Sequence, residues 1–307
     1  MIAAIYKKLL LKRYDKDDAT PYYGAADFPE LCREEDFFEN SENVRIRYYL
    51  YRYAPQEAGP LILFCPGVGP GHTAYLREIE TLCRAGYRVL TLDYTGCGAS
   101  GGERLPSLNA PTRDAFELLE RLRPSGEVVP VGHSLGGYTA LNLARLAPEI
   151  KRAVVLSGFS GVADLLPGFV KLPPLARRIE RYEAEICPRF ASSENLAFLA
   201  QTTDRILWIH SKDDPTVPYR TTAGRVAALG NPNVRVITVE DKKHNPQYTA
   251  EAVKQMNAWI GRYTLLVKTG RLNTPEKRRA YFSDKPIERM TEPDSAVFGE
   301  ILRFIGE

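Results

Sequence analysis

The sequence predicts an α/β fold in which a mostly parallel sheet is covered by helices on both faces. Three observations predict it. Short apolar runs recur along the chain, at Leu61 to Cys65, Arg88 to Asp93, Val128 to Val131, Arg152 to Ser157, Ile206 to His210 and Asn233 to Val239. Leu61 to Cys65 and Ile206 to His210 are continuous runs of the length a buried parallel strand requires, and the others read as strands beside them. Helical patterns separate most of these runs, as crossovers between parallel strands require. Finally, the third run feeds straight into Gly132-His133-Ser134-Leu135-Gly136-Gly137, with an apolar helical pattern behind it from Tyr138 to Leu146. In such sheets ligands bind at the carboxyl ends of the strands.

Bulk properties narrow the function. The 307 residues, 44% of them hydrophobic and 26% charged, can fill one large core, and the expected organisation is a single domain over 1–307. A formal charge of +3 is too small and too evenly spread to argue for a nucleic-acid partner, and that class is set aside. Lys7 and Lys8 stand where a signal peptide needs its apolar core, and no run reaches spanning length, so no stable membrane insertion is expected. An amphipathic surface helix is the plain reading of this N-terminus, and contact with a membrane surface the minority one. Cys32, Cys65, Cys83, Cys97 and Cys187 are odd in number and lack metal-ligand spacing. They read as buried small apolar residues in a reducing cytoplasm, with no metal site.

In chain order, Met1 to Tyr14 reads as a helix and a polar connector follows to about Glu35. Val44 to Tyr53 alternates as an antiparallel strand at a sheet edge does. Leu61 to Cys65 ends in Pro66-Gly67-Val68-Gly69-Pro70-Gly71, a tight loop whose composition is also what any loop shows. Thr73 to Gly86 is a helix with Tyr75, Ile79, Leu82 and Cys83 on one face and Gly86 as its stop. The glycines of Asp93 to Gly102 fit neither a dinucleotide fingerprint nor a Walker loop, and Ser100 reads as a turn residue. Asp114 to Leu122 is helical. Residues 158–203 break the rhythm with an irregular apolar set that includes Phe159, Leu165, Leu166, Phe169, Val170, Leu172 and Ile179. Beyond the last strand, Gln247 to Tyr263 reads as a helix, then a basic segment with Lys277, Arg278 and Arg279, then a helix from Ser295 to Ile305 that Thr291-Glu292-Pro293-Asp294 starts. Residues 262–307 are expected to form a C-terminal extension packed on the core.

A serine between Gly132 and Gly136 at a strand-to-helix corner sits in a cramped backbone that only small neighbours tolerate. Its hydroxyl then points out of the sheet edge beside free N–H groups and a helix dipole that favour a developing anion. A serine capping the helix is the competing structural role. The segment resembles the nucleophile elbow of the α/β-hydrolase superfamily. Its flanks are similar to the branch holding monoacylglycerol-lipase-like esterases and serine aminopeptidases, with the likeness running from about Val44 to His244. The resemblance implies the α/β-hydrolase fold, a role for Asp93-Tyr94-Thr95-Gly96-Cys97-Gly98-Ala99-Ser100 in holding a turn near the active-site mouth, and an oxyanion hole from two backbone N–H groups. One would be Leu135. The other falls on Val68, although Pro66 replaces the histidine of the family's usual His-Gly pair. Where the family inserts sequence after the strand at Arg152 to Ser157 it builds a lid, so 158–203 is either a lid over an acyl pocket or an extension of the core.

The serine's partners follow. The family places its acid after the strand equivalent to Ile206 to His210, in a frame ending Val-Pro. Aligning Val217-Pro218 puts it on Asp214, with Asp213 as the fallback and Ser211 departing from the family's glycine. Such a carboxylate fixes the imidazole tautomer and stabilises the imidazolium. His244 lies in a loop with no packing reason for an imidazole, and the chain order Ser, Asp, His is the one this fold uses. His72 is its rival; His133 should point away from the hydroxyl, His210 should be a core histidine, and a solvated loop residue is the plain alternative for His244. The expected activity is hydrolysis of carboxylic esters of small or medium apolar acyl substrates through an acyl-serine, with no cofactor. Aminopeptidase or amidase, thioesterase or acyltransferase action stands as an alternative, as does a non-catalytic protein that binds a small ligand in the same pocket. Among Glu180, Glu183 and Glu185, candidates for holding a substrate amine, solvated helix charges are the simpler reading. The oligomeric state is left open.

Overall fold

The structure is a computed structural model and describes residues 6–8, 10–15, 22–53, 59–165, 173–191 and 194–307. Its strands are β1 (Cys32–Glu39), β2 (Arg45–Arg52), β3 (Leu61–Cys65), β4 (Arg88–Leu92), β5 (Val128–His133), β6 (Arg152–Leu156), β7 (Arg205–Ser211) and β8 (Val234–Val239). They form one sheet in the order β1-β2-β4-β3-β5-β6-β7-β8. β2 is antiparallel to both neighbours, and every pair from β4 to β8 is parallel. The fold is that of an α/β hydrolase.

Alternation within the continuous apolar runs splits the core in two. Leu61, Leu63, Cys65, Ala153, Val155, Ile206 and Trp208 face one side, while Ile62, Phe64, Val154, Leu156, Leu207 and Ile209 face the other. Because successive side chains leave a strand on opposite faces, such runs are stable only when helices cover both. Helices α1 (Leu76–Arg84), α2 (Ala110–Leu122) and α3 (Leu135–Leu146) divide the work: Leu118, Leu141 and Leu143 cover the first face, Ile79 and Leu82 the second. After β6 come α4 (Val162–Leu165), α5 (Pro173–Ile186) and α6 (Asn195–Gln201), and α7 (Ala223–Ala227) precedes β8. The chain then runs through α8 (Ala250–Lys268), α9 (Pro275–Ser283), α10 (Ile287–Met290) and α11 (Ser295–Gly306). Phe298, Ile301, Phe304 and Ile305 of α11 complete the second face. The loops after β3, β5, β7 and β8 carry Val68, Ser134, Asp214 and His244, so all four lie at the carboxyl end of the sheet.

Several elements differ from expectation. Tyr6–Lys8 and Leu10 are helical, but the chain leaves the helix at Leu11, and Tyr14 pairs as an isolated bridge with Cys97; residues 1–5 and 9 lie outside the described residues. The connector expected to reach Glu35 ends earlier, because Cys32–Glu39 is the true edge strand and β2 lies inside it. Nearly all of β1 is exposed, so no apolar period marks it; cross-strand contacts do, such as Arg45 over the Phe37 ring. The helix expected from Gln247 begins at Ala250, where the Thr249 hydroxyl caps it by accepting from the Ala252 N–H at 3.1 Å. The basic segment is a helix, with Thr274 as its cap and Pro275 at its first position. It buries none of its own residues; Tyr281 and Phe282 lie against Trp259 and Tyr263 of α8. Asp294 starts α11 as expected, accepting from the Ala296 and Val297 N–H groups. Of the set in 158–203, Phe159, Leu165 and Ile179 are buried in the first core face, while Leu166, Phe169, Val170 and Leu172 lie outside the described residues. Cys32 is exposed, contrary to expectation, and the other four cysteines are buried.

Candidate active site

Ser134 stands between β5 and α3 with φ 57° and ψ −119°, outside the regions an L residue prefers. What holds it there is close backbone contact. A Cβ at Gly132 would collide with the Gly136 carbonyl, and one at Gly136 with the Cys65 carbonyl of β3. The Ser134 N–H donates to the Leu156 carbonyl at 2.8 Å, which ties the corner to β6. A helix-capping role for the side chain is not what the geometry shows, since the hydroxyl caps nothing in α3.

The hydroxyl instead meets His244. Ser134 Oγ lies 2.9 Å from His244 Nε2, and His244 Nδ1 lies 2.8 Å from Asp214 Oδ2. The imidazole therefore donates from Nδ1 to the carboxylate and accepts the serine proton at Nε2. Asp214 Oδ1 accepts the N–H groups of Thr216 and Val217 at 2.8 and 2.9 Å, which sets the plane of the carboxylate. Burial alone would raise its pKa, but hydrogen bonds from His210 and His244 outweigh that and hold it well below the usual carboxylate range. Asp213, the fallback, bonds to Ser211 and to Lys243.

None of the other histidines bonds the Ser134 hydroxyl, although His210 Nε2 also lies 3.3 Å from Asp214 Oδ2. His210 is fully buried, donating from Nε2 to the Val217 carbonyl at 2.8 Å and accepting from Trp208 at Nδ1. His72 is held between Asp93 and Tyr51, at 2.8 and 2.9 Å. His133 bonds to Tyr75 and to the His244 carbonyl, away from the serine hydroxyl.

Two glycine-bearing loops pack against each other beside β3 and β4. A Cβ on Gly67 would lie 3.3 Å from Ser134 Cβ, so the loop carrying Val68 packs directly over the corner; Val68 is exposed and Leu135 buried. Asp93 joins this loop to the next. One carboxylate oxygen accepts the His72 N–H and Nδ1–H at 2.8 Å each, and the other accepts the Ala99 N–H at 2.9 Å. A side chain on Gly71 or Gly98 would occupy the carboxylate's own space. Ser100 is a turn residue: it donates to the Asp93 carbonyl and accepts the Arg47 N–H.

Three buried groups had no sequence signal of this role. His133 is one. Glu183 of α5 is not solvated: it accepts from Tyr6, from Ser107 and from the Leu108 N–H at 2.7 Å. Glu78 of α1 accepts from the Tyr248 hydroxyl at 2.6 Å and from Gln247 at 3.2 Å, a few residues past His244. Burial pushes its carboxyl up to about 7, against those hydrogen bonds. Its second oxygen, and the Gln247 carbonyl oxygen, have no partner among the described residues. Among the described residues no group of three or more His, Cys, Asp or Glu side chains could hold a metal ion, and no helix is long and apolar enough to cross a membrane.

The chain is similar to several known proteins. The family described as serine aminopeptidase, S33 matches residues 56–229. Human protein ABHD12B is 29% identical over 189 residues, 55% of this chain and 49% of that one. The lysophosphatidylserine lipase ABHD12 of Gallus gallus is 30% identical over 185 residues, 52% of this chain and 45% of that one. The chain thus spans about half the length of these relatives. The Pyrococcus furiosus esterase Pf2001 superposes with a TM-score of 0.57 at 18% identity, over 84% of this chain and 98% of that one. Est1E from Butyrivibrio proteoclasticus, solved with ferulic acid, does so with a TM-score of 0.54 at 18% identity, over 75% and 98%.

Proposed function

The chain belongs to the serine aminopeptidase, S33 family of α/β hydrolases, and from that premise we propose that it cleaves carboxylic esters of small or medium apolar acyl groups through an acyl-serine intermediate. The observation that carries this reading is the unbroken hydrogen-bonded line from Ser134 Oγ through His244 to Asp214. Ser134 Oγ attacks the ester carbonyl while His244 Nε2 takes its proton, and Asp214 stabilises the imidazolium. The Val68 and Leu135 N–H groups receive the tetrahedral oxyanion, a contribution of about 3 kcal/mol per donor. His244 then protonates the departing alcohol and activates water against the acyl-serine.

The family's description favours amide cleavage as a second reading. An aminopeptidase needs a free carboxylate for the substrate amine. Glu183 is buried and bonded to three donors, which speaks against it in that part. A fluorophosphonate probe tests the nucleophile: labelling should vanish in Ser134→Ala, and an unlabelled folded wild type overturns the proposal. Short acyl esters set against aminoacyl amides decide the bond, with amide turnover in the absence of ester turnover selecting the second reading.

A further inference from the structure

His133 is 4% exposed and sits against the base, its ring centroid 4.8 Å from that of His244, yet the mechanism above does not use it. Its hydrogen bonds fix its state. Nε2 lies 2.6 Å from the His244 carbonyl oxygen, which can only accept, so Nε2 carries the proton. Nδ1 lies 3.0 Å from the Tyr75 hydroxyl. Burial, with His244 beside it, pushes the imidazole down to about 3, so the ring is neutral and Nδ1 accepts from Tyr75. The Tyr75 oxygen in turn packs against Gly67, so closely that a Cβ on Gly67 would collide with it. Donors and acceptors therefore run in one direction, from Tyr75 to His133 to the His244 carbonyl, with Gly67 packed against the Tyr75 end. Bonds aligned in this way polarise one another in a dry interior.

The backbone this line reaches needs external support. Asp241 and Lys243, just before His244, both have positive φ without being glycine, so the loop does not hold its own shape cheaply. The other end of the line packs against Gly67, next to Val68.

We propose that Tyr75 and His133 form a strut that holds the base loop and the oxyanion loop at a fixed separation around Ser134, making His133 a positioning residue for hydrolysis. This rests on the proposed roles of Ser134 and His244. Because His133 stays uncharged, it acts through geometry and takes no proton during turnover. Removing its donor lets His244 drift from the serine hydroxyl, which slows the chemical step and leaves substrate binding nearly unchanged.

The test is ester turnover by the full chain carrying His133→Leu, His133→Gln, Tyr75→Phe and the double variant Tyr75→Phe/His133→Leu. Wild type must first show labelling that Ser134→Ala abolishes; if it does not, the hydrolase reading fails and the strut has not been reached. With that in place, His133→Leu should lose between about tenfold and a hundredfold in kcat at a KM within about threefold, as a catalytic group displaced by an ångström does. His133→Gln keeps an N–H for the His244 carbonyl and should recover most of the loss. Tyr75→Phe, the variant least able to disturb folding, should lose a smaller factor in kcat. The double variant should be no slower than His133→Leu, since both residues belong to one line. The strut is overturned if folded His133→Leu keeps kcat within about threefold, if Gln is as slow as Leu, or if the two losses multiply; should His133→Leu fail to fold, an unchanged kcat in Tyr75→Phe overturns it.

Discussion

Replacing Glu78 by glutamine removes a titration and almost no volume, at a place where burial makes the charge expensive. The folded carboxyl titrates near 7 against an ordinary 4.5, a gap worth on the order of 3 kcal/mol at about 1.4 kcal/mol per pH decade. The sign follows from which state holds the proton. A carboxyl whose folded pKa is raised favours the folded state fully below 4.5, and that advantage is lost as pH rises to about 7. Above that, wild type carries a buried anion. The substituted amide can still accept from the Tyr248 hydroxyl, and its N–H can reach for the unpartnered Gln247 oxygen. The two proteins should therefore be equally stable near pH 4.5, with Glu78→Gln ahead by on the order of 3 kcal/mol above pH 8, or about 5 °C in Tm for a chain of this size. Urea titrations followed by tryptophan fluorescence between about pH 5 and about pH 8.5 measure the difference, in which titrations common to both proteins cancel. Parallel stability curves for the two proteins across that range would refute the reasoning.

Asp214→Asn should lower kcat by roughly 10⁴, because an amide N–H facing His244 Nδ1 selects the tautomer that cannot take the serine proton; Asp213→Asn, whose carboxylate faces Lys243, should stay within a few-fold in the same ester assay. Gly136→Ala drives a methyl into the Cys65 carbonyl and should cost about 4 kcal/mol or more, seen as loss of soluble folded protein or a collapse in the urea midpoint. Glu183→Leu leaves the Tyr6 and Ser107 hydroxyls and the Leu108 N–H without their acceptor, and should cost about 3 kcal/mol by the same titration.

Where side chains are sorted by burial, the chain could be read directly. The strands from β3 to β7 are largely apolar runs because both faces of the sheet are covered, and Gly132 and Gly136 mark the corner because the backbones there touch. That Ser134, Asp214 and His244 would meet was legible through chain order and loop position. What could not be read was set by partners distant in sequence. β1 is a strand only because β2 lies beside it, and its exposed polar residues carry no period of their own. Glu183 looks like a solvated helix charge until α5 is laid against Tyr6 and Ser107. His133 shares its motif with Ser134, yet its hydrogen bond reaches a carbonyl 111 positions away.

The Asp93 carboxylate, wedged where Gly71 and Gly98 leave no side chain, makes the two loops a single part. Neither can be altered alone, since enlarging either glycine evicts the anion that fastens both. Sequence change in these loops is therefore channelled to positions such as exposed Val68, and any library that varies them should leave Asp93, Gly71 and Gly98 untouched.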